Sequence, residues 1–226
     1  MQNFDIVKTT KTKKTFRNEY VIGKFDIQSD SVVERFNGKI DFGNDWKIGL
    51  IVGSSGSGKS TIARELFSNY IVKPDFGVES VFQEMPKHST CEQISRAFTS
   101  CGFSSPPSWL KPYSVLSNGE KMRVELAYCI LSKQKNILFD EFTSVVDRTI
   151  AKTTSVAINK AINRTQKRFI AVSCHDDIQE WLEPDWVFRT DSMTQIVKKK
   201  NVLNSDARFS NTHKNNFGTF LNDFTI

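Results

Sequence analysis

No apolar run in this chain approaches the roughly 18 residues needed to cross a bilayer. The opening Met1-Gln2-Asn3-Phe4-Asp5 lacks the apolar core of a signal peptide, so a cytoplasmic protein with no direct membrane insertion is expected. Four cysteines (Cys91, Cys101, Cys129 and Cys174) show neither CxxC spacing nor histidines placed as metal co-ligands, and read as reduced thiols. No internal repeat is visible, which argues against a solenoid. What remains is an ordinary soluble composition, 38% hydrophobic and 25% charged over 226 residues, enough for one α/β domain with a sizeable core.

The formal net charge of +6 is not spread evenly. Lys8, Lys11, Lys13, Lys14 and Arg17 form one cluster and Lys198, Lys199 and Lys200 another; together they exceed the whole excess, leaving the rest of the chain slightly acidic. Such clusters either meet phosphate backbones or solvate a surface.

Strand-like segments are expected near 19–27, 38–42 and 47–52, at 78–82, at 137–139 and at 169–172. Helices are expected over 60–70, across much of 90–131 with a loop at Ser104-Ser105-Pro106-Pro107, and over 148–163. Strands alternating with helices predict a parallel, doubly wound α/β sheet. From about Asp191 onward periodicity is lost, and a weakly ordered or partner-packed tail is expected over 191–226.

The chemistry concentrates in Gly53-Ser54-Ser55-Gly56-Ser57-Gly58-Lys59-Ser60, between the apolar run Ile48–Val52 and the amphipathic segment that starts at Thr61. Glycines at 53, 56 and 58 let the backbone turn tightly, so that successive N–H groups converge on phosphate oxygens at a helix N-terminus. Lys59 then reaches the β- and γ-phosphates and the Ser60 hydroxyl reaches Mg²⁺, which makes the octet a P-loop. Downstream, Asn136–Phe139 is an apolar strand ending in Asp140 and Glu141; the first carboxylate suits Mg²⁺ and the second can polarise a water. Ser117-Asn118-Gly119-Glu120 is a capping box opening a helix.

Leu116-Ser117-Asn118-Gly119-Glu120 also resembles the LSGGQ signature of ABC-class ATPases, with Asn118 and Glu120 as departures. Phe82-Gln83 is similar to that family's Q-loop, Ser144-Val145-Val146-Asp147 to its D-loop, and Ser173-Cys174-His175 to its switch histidine. With the P-loop and the Asp140-Glu141 pair, six motifs stand in the family's order across roughly residues 40–190. The resemblance implies a P-loop NTPase fold with an ABC-like parallel sheet over 1–190 and a short helical signature subdomain over about 84–131. It implies ATP and Mg²⁺ as ligands, with Ser60, Gln83 and Asp140 around the metal and Glu141, Gln83 and His175 as the hydrolytic set. Gly53 to Thr61, Ser117, Gly119 and Asp147 are implied to contact nucleotide. In this family the signature serves the nucleotide of a facing subunit, so a homodimer formed on ATP binding is implied.

The sequence departs from transporter ATPases in having only 23 residues between Lys59 and Gln83, and Phe142 where proline usually follows the glutamate. No convincing aromatic stands at the family's adenine-stacking position; Phe25 and Phe36 are candidates for it, with a core role the favoured reading of each. The wording Asp140–Arg148, Ser173–Ile178 and Trp181–Trp186 resembles soluble ABC-type ATPases of phages and bacteria, often joined to an acetyltransferase-like domain and associated with DNA modification. That resemblance implies the cytoplasm of a bacterium or phage-infected host cell, with a separate acetyltransferase-like or DNA-modifying protein, and DNA itself, as partners. Two other readings stay open: the nucleotide-binding subunit of an ABC transporter, and a non-catalytic regulatory ABC module.

Overall fold

The structure is a computed structural model, and it describes residues 2–28, 31–70 and 74–198. Its centre is a five-stranded sheet. In chain order its strands are β3 (Ile48–Val52), β4 (Asn136–Phe139), β5 (Arg168–Ser173), β6 (Trp186–Arg189) and β7 (Thr194–Val197), lying side by side as β4-β5-β3-β6-β7. The first four positions in that order run parallel, and β7 closes the edge antiparallel to β6. All five residues of β3 are buried, as expected of a central strand covered on both faces.

The twofold period of the strands divides the core in two. Ile48, Leu50 and Val52 face a cluster shared with Phe169, Ala171 and Ile137, covered by α3 (Cys91–Ser100), α5 (Asn118–Leu131), α6 (Arg148–Asn163) and α7 (Ile178–Leu182). Ile51, Ile170, Val172 and Leu138 face the opposite cluster, which α2 (Lys59–Leu66) covers through Ile62 and Ala63 and which Trp46, Phe67 and Trp186 fill. This is the doubly wound architecture that the alternation of strands and helices predicts.

A separate antiparallel ribbon joins β1 (Gln2–Lys11) to β2 (Ser31–Ile40) in full register from Gln2↔Ile40 to Lys11↔Ser31, with α1 (Phe16–Lys24) inside the connection. Here the structure corrects an expectation: most of 19–27 is helix, not strand. The β-branched pair Val21-Ile22 by itself favours extension, but Thr15 caps the helix by accepting the Asn18 N–H, with Glu19 in the first turn and Lys24 in the last. The segment 38–42 is extended only to Ile40.

Residues 78–82 form no strand either. The Glu84 carboxylate gathers the backbone N–H groups of Gly77 and Glu79 and folds the segment on itself, leaving a single bridge, Ser80 to Pro112. Pro106 and Pro107 open a short helix, α4 (Pro106–Trp109), rather than filling a loop, because the first helical positions need no N–H donor. The expected tail includes β7; its remainder from 199 lies outside the described residues. Among the described residues, no helix is long and apolar enough to cross a membrane. All four cysteines are free thiols, with Cys101 and Cys129 pushed up to about 12 by burial.

Candidate functional site

The parallel strands deliver their C-terminal ends to one cleft of about 400 Å³, the usual location of a ligand site in a sheet of this kind. After Val52 the chain turns through residues 53–58 into α2, with Gly56 and Gly58 both in the left-handed region at φ 82° and 84°. Gly58 matters twice. A β-carbon there would be strained and would also approach the Phe36 ring within 2.3 Å, so the loop closes against β2 only because that position has no side chain. Gly58 also caps α2 with no side-chain acceptor, leaving the first helical N–H groups directed at the cleft. Ser55, Gly56, Gly58, Lys59, Ser60 and Thr61 line the cleft.

Facing them is the turn after β4. The Ser60 hydroxyl donates to one Asp140 oxygen at 2.9 Å, and Arg64, one turn further along α2, bonds the other at 3.0 Å. Two hard oxygens side by side at the head of a phosphate-type loop fit a small cation such as Mg²⁺, which ordinarily takes one or two protein oxygens and completes its shell with phosphate and water. Among the described residues no cluster of three His, Cys, Asp or Glu forms a self-sufficient metal cage. Next in the chain, Glu141 and Thr143 are non-glycine residues at positive φ, 56° and 63°. This strained turn is held by buried Phe142, whose N–H bonds Val172 O at 2.8 Å, and it brings Glu141 to the cleft wall beside Ser144 and Cys174.

Other residues singled out in the sequence stand apart from this cleft. Gln83 is exposed, and its N–H bonds the Ser80 hydroxyl. The His175 N–H bonds the Ser173 hydroxyl, and the imidazole is absent from the cleft lining. Asp147 is the N-cap of α6, accepting from Thr149 and Ile150. Ser117 and Glu120 form the expected capping box at the head of α5, with Gly119 packed against Val146, and none of the three touches the cleft. Glu120 accepts the backbone N–H and then the hydroxyl of Ser117, which holds its carboxyl below the usual range.

Gly53, Ser54 and Ser57 have a role that spacing did not reveal. The Ser54 N–H and hydroxyl both donate to Asp191, the latter at 2.6 Å, while Ser57 Oγ lies 2.6 Å from Thr190 Oγ1. A β-carbon on Gly53 would meet Thr190 Oγ1 at 2.2 Å. The turn after β6 therefore braces the glycine loop, and the hydroxyl and N–H of Ser54 hold the Asp191 carboxyl below its ordinary range. From the end of β6, just before that turn, Arg189 reaches Asp176 at 2.9 Å, tying the brace to the loop that carries His175.

One wall was only partly anticipated, through Phe36 as a candidate for stacking on adenine. Lys8, Glu34 and Phe36 line the cleft from the β1–β2 ribbon, where Lys8 and Glu34 are cross-strand partners. Only the pairing of two distant segments brings them there. Phe36 is a core residue and a cleft residue at once; Phe25 is exposed and does not line the cleft.

No family model and no curated protein matches this sequence. Solved structures do. The dimeric structure of MJ0796, a bacterial ABC transporter cassette, superposes with a TM-score of 0.55 at 13% identity, covering 81% of this chain and 94% of that one. A bacterial Atm1-family ABC exporter with ATP bound gives 0.52 at 17% identity over 63% of this chain, which spans about a third (32%) of the exporter. The fold is that of ABC ATPase cassettes, a P-loop NTPase fold on a largely parallel sheet.

Proposed function

We propose that the chain is an ABC-type ATPase that binds and hydrolyses MgATP. The observation that carries this reading is the convergence, in one cleft, of Lys59 and the open helix-start amides with the Ser60–Asp140 pair and Glu141. Lys59 and the amides of residues 55–61 cradle the phosphates, Ser60 and Asp140 hold Mg²⁺, and Glu141 orients or deprotonates the attacking water. Bound Mg²⁺ supplies charge neutralisation at the phosphates. Phe36 and the Lys8–Glu34 pair form the wall on the side of the base and ribose.

Ser117, Gly119 and Asp147 do not line the cleft of their own chain, and in this reading they serve the nucleotide of a second copy, which makes a head-to-tail homodimer the hydrolytic unit. Gln83 and His175 close on Mg²⁺ and the γ-phosphate in that assembly. We further propose that the cycle serves DNA modification or a related DNA process, together with an acetyltransferase-like or DNA-modifying protein. The resemblance of Asp140–Arg148 and Ser173–Ile178 supports that process. A second reading, the nucleotide-binding subunit of a transporter, is supported by the structural neighbours, an ABC transporter cassette and an ABC exporter.

The test is Glu141→Gln, which keeps the shape and Asp140 but removes the carboxylate. Hydrolysis falls on the order of a hundredfold or more, and in ATP and Mg²⁺ a species of twice the 25.8 kDa chain mass accumulates in light scattering. Adding Ser117→Arg disperses it. A Gln variant that stays monomeric at saturating ATP overturns the sandwich reading and leaves Ser117 as a helix cap. Pull-down of the trapped form separates the two process readings: DNA or a DNA-modifying enzyme supports the first, a membrane-spanning chain the second.

A further inference from the structure

On the β1–β2 ribbon, α1 has no buried residue. Winding Phe16–Lys24 at the helical period places Phe16, Tyr20, Lys24, Arg17 and Val21 in that order along one arc of roughly 140°. The rings are open to solvent, with Phe16 84%, Tyr20 58% and the C-cap Phe25 67% exposed, while Asn18 and Ile22, on the opposite side, are partly covered. Lys24 Nζ sits over both the Tyr20 and the Phe25 ring, at 5.6 and 5.9 Å from their centroids. The only carboxylate of the helix, Glu19, lies off the arc; Asp26, just past its end, is engaged by Gln28. Leading into the helix, Lys11, Lys13 and Lys14 are exposed as well.

Exposed rings interleaved with cations, on a face without an acid, are the combination that binds unpaired nucleotides: the rings take stacked bases and the cations take phosphates. A purely solvated lysine cluster has no use for three exposed aromatic rings. A duplex would engage the cations but keep its bases stacked away from the rings. We infer that the outer face of α1, with Lys11, Lys13 and Lys14, is a platform for single-stranded nucleic acid. The inference rests on the nucleic-acid part of the function proposed above and narrows it to an unpaired strand. The platform lies on the ribbon that walls the cleft: Lys8 lines the cleft and Lys11 ends the same strand, about 10 Å further along.

The experiment is fluorescence anisotropy with the full chain and a labelled dT20 oligonucleotide, the matching duplex, and vesicles of phosphatidylserine and phosphatidylcholine. The expected result is binding to dT20 in preference to duplex, weakened about tenfold by Phe16→Ala and again by Tyr20→Ala at constant salt. Replacing Lys13, Lys14 and Arg17 together by Ala should lower the slope of log affinity against log salt by about two. ATP affinity should be unchanged in the ring variants, which shows that they remain folded. Equal binding of dT20 and duplex with no effect of ring removal overturns the inference in favour of plain phosphate contact. Vesicle binding without oligonucleotide binding overturns it in favour of an anionic membrane surface, and no binding to any of the three overturns it outright. Each of these failures leaves the ATP-trapped dimer test of Glu141→Gln untouched, so the platform and the ATPase fall separately.

Discussion

The sheet and the ribbon are built on opposite principles. Every residue of β3 is buried, whereas β1 buries only Phe4 and the α1 it leads into buries nothing. In the sheet, side chains are chosen by packing, and the functional groups sit on the strained turns and glycine loop that this packing fixes. In the ribbon, backbone pairing and a few buried anchors, Phe4, Phe36 and Ile40, set the geometry, and most other side chains are exposed. The two meet where Phe4, Phe36 and Ile40 of the ribbon join the core under α2, Phe4 against Phe188 and Phe36 against Gly58 of the glycine loop. The cleft thus has one rigid wall and one wall borne by a lightly packed element.

The largest difference should appear on truncating one aliphatic residue in each region. Leu50→Ala, in the middle of β3 and fully buried, removes methyl groups from a cluster that cannot collapse around the gap, and should cost about 2–5 kcal/mol. Val33→Ala, on the exposed side of β2, should stay within about 0.5 kcal/mol. Urea unfolding of both variants tests this. Comparable losses would mean that the ribbon carries packing energy that its exposure does not suggest.

A smaller contrast separates two lysines of equal charge. Lys59 lines the cleft at the start of α2, its ammonium donating to the Ser54 carbonyl, so Lys59→Ala should weaken ATP binding by about tenfold or more. Lys11→Ala, at the exposed end of β1, should leave it unchanged. Calorimetric titration of both decides the matter: equal loss would make the effect one of general charge, and no loss in Lys59→Ala would remove the P-loop assignment.

The same division governs how much could be read in advance. Segments 48–52, 137–139, 169–172 and 148–163 were legible because burial imposes a local period on them, and the meeting of Lys59, Ser60, Asp140 and Glu141 in one cleft because each pair stands in a short motif at a strand end. The ribbon was illegible for the opposite reason. With one buried residue in ten, β1 carries almost no apolar alternation, and Val21-Ile22 in an unburied helix imitates a strand. Lys8 and Glu34 reach the cleft through pairing across 26 positions of sequence, and Thr190 with Asp191 reach the glycine loop through the neighbouring strand β6, so no local pattern announces them; of this group only Phe36 was a candidate in the sequence.

The smallest expected effect concerns the head of α5, which belongs to the packed region but faces outward like the ribbon. Ser117→Ala removes the acceptor for the Glu120 N–H and the hydroxyl donor to its carboxylate, and should cost about 1 kcal/mol of stability. The carboxylate half of the box is tested by pH. Because the Ser117 N–H and hydroxyl hold the Glu120 carboxyl below its ordinary range, its contribution is complete above the unfolded value of about 4.3 and is lost as pH falls through the lower folded value. Stability between pH 7 and 5 should therefore be indifferent to this group. Below about pH 4.3 the wild type should lose stability faster than Glu120→Gln, whose amide oxygen can still accept from Ser117 but does not titrate. Thermal unfolding of both proteins in steps of pH checks the sign. Parallel curves in acid would show that solvent screens this half of the box completely, leaving the hydroxyl of Ser117 as the whole of the cap.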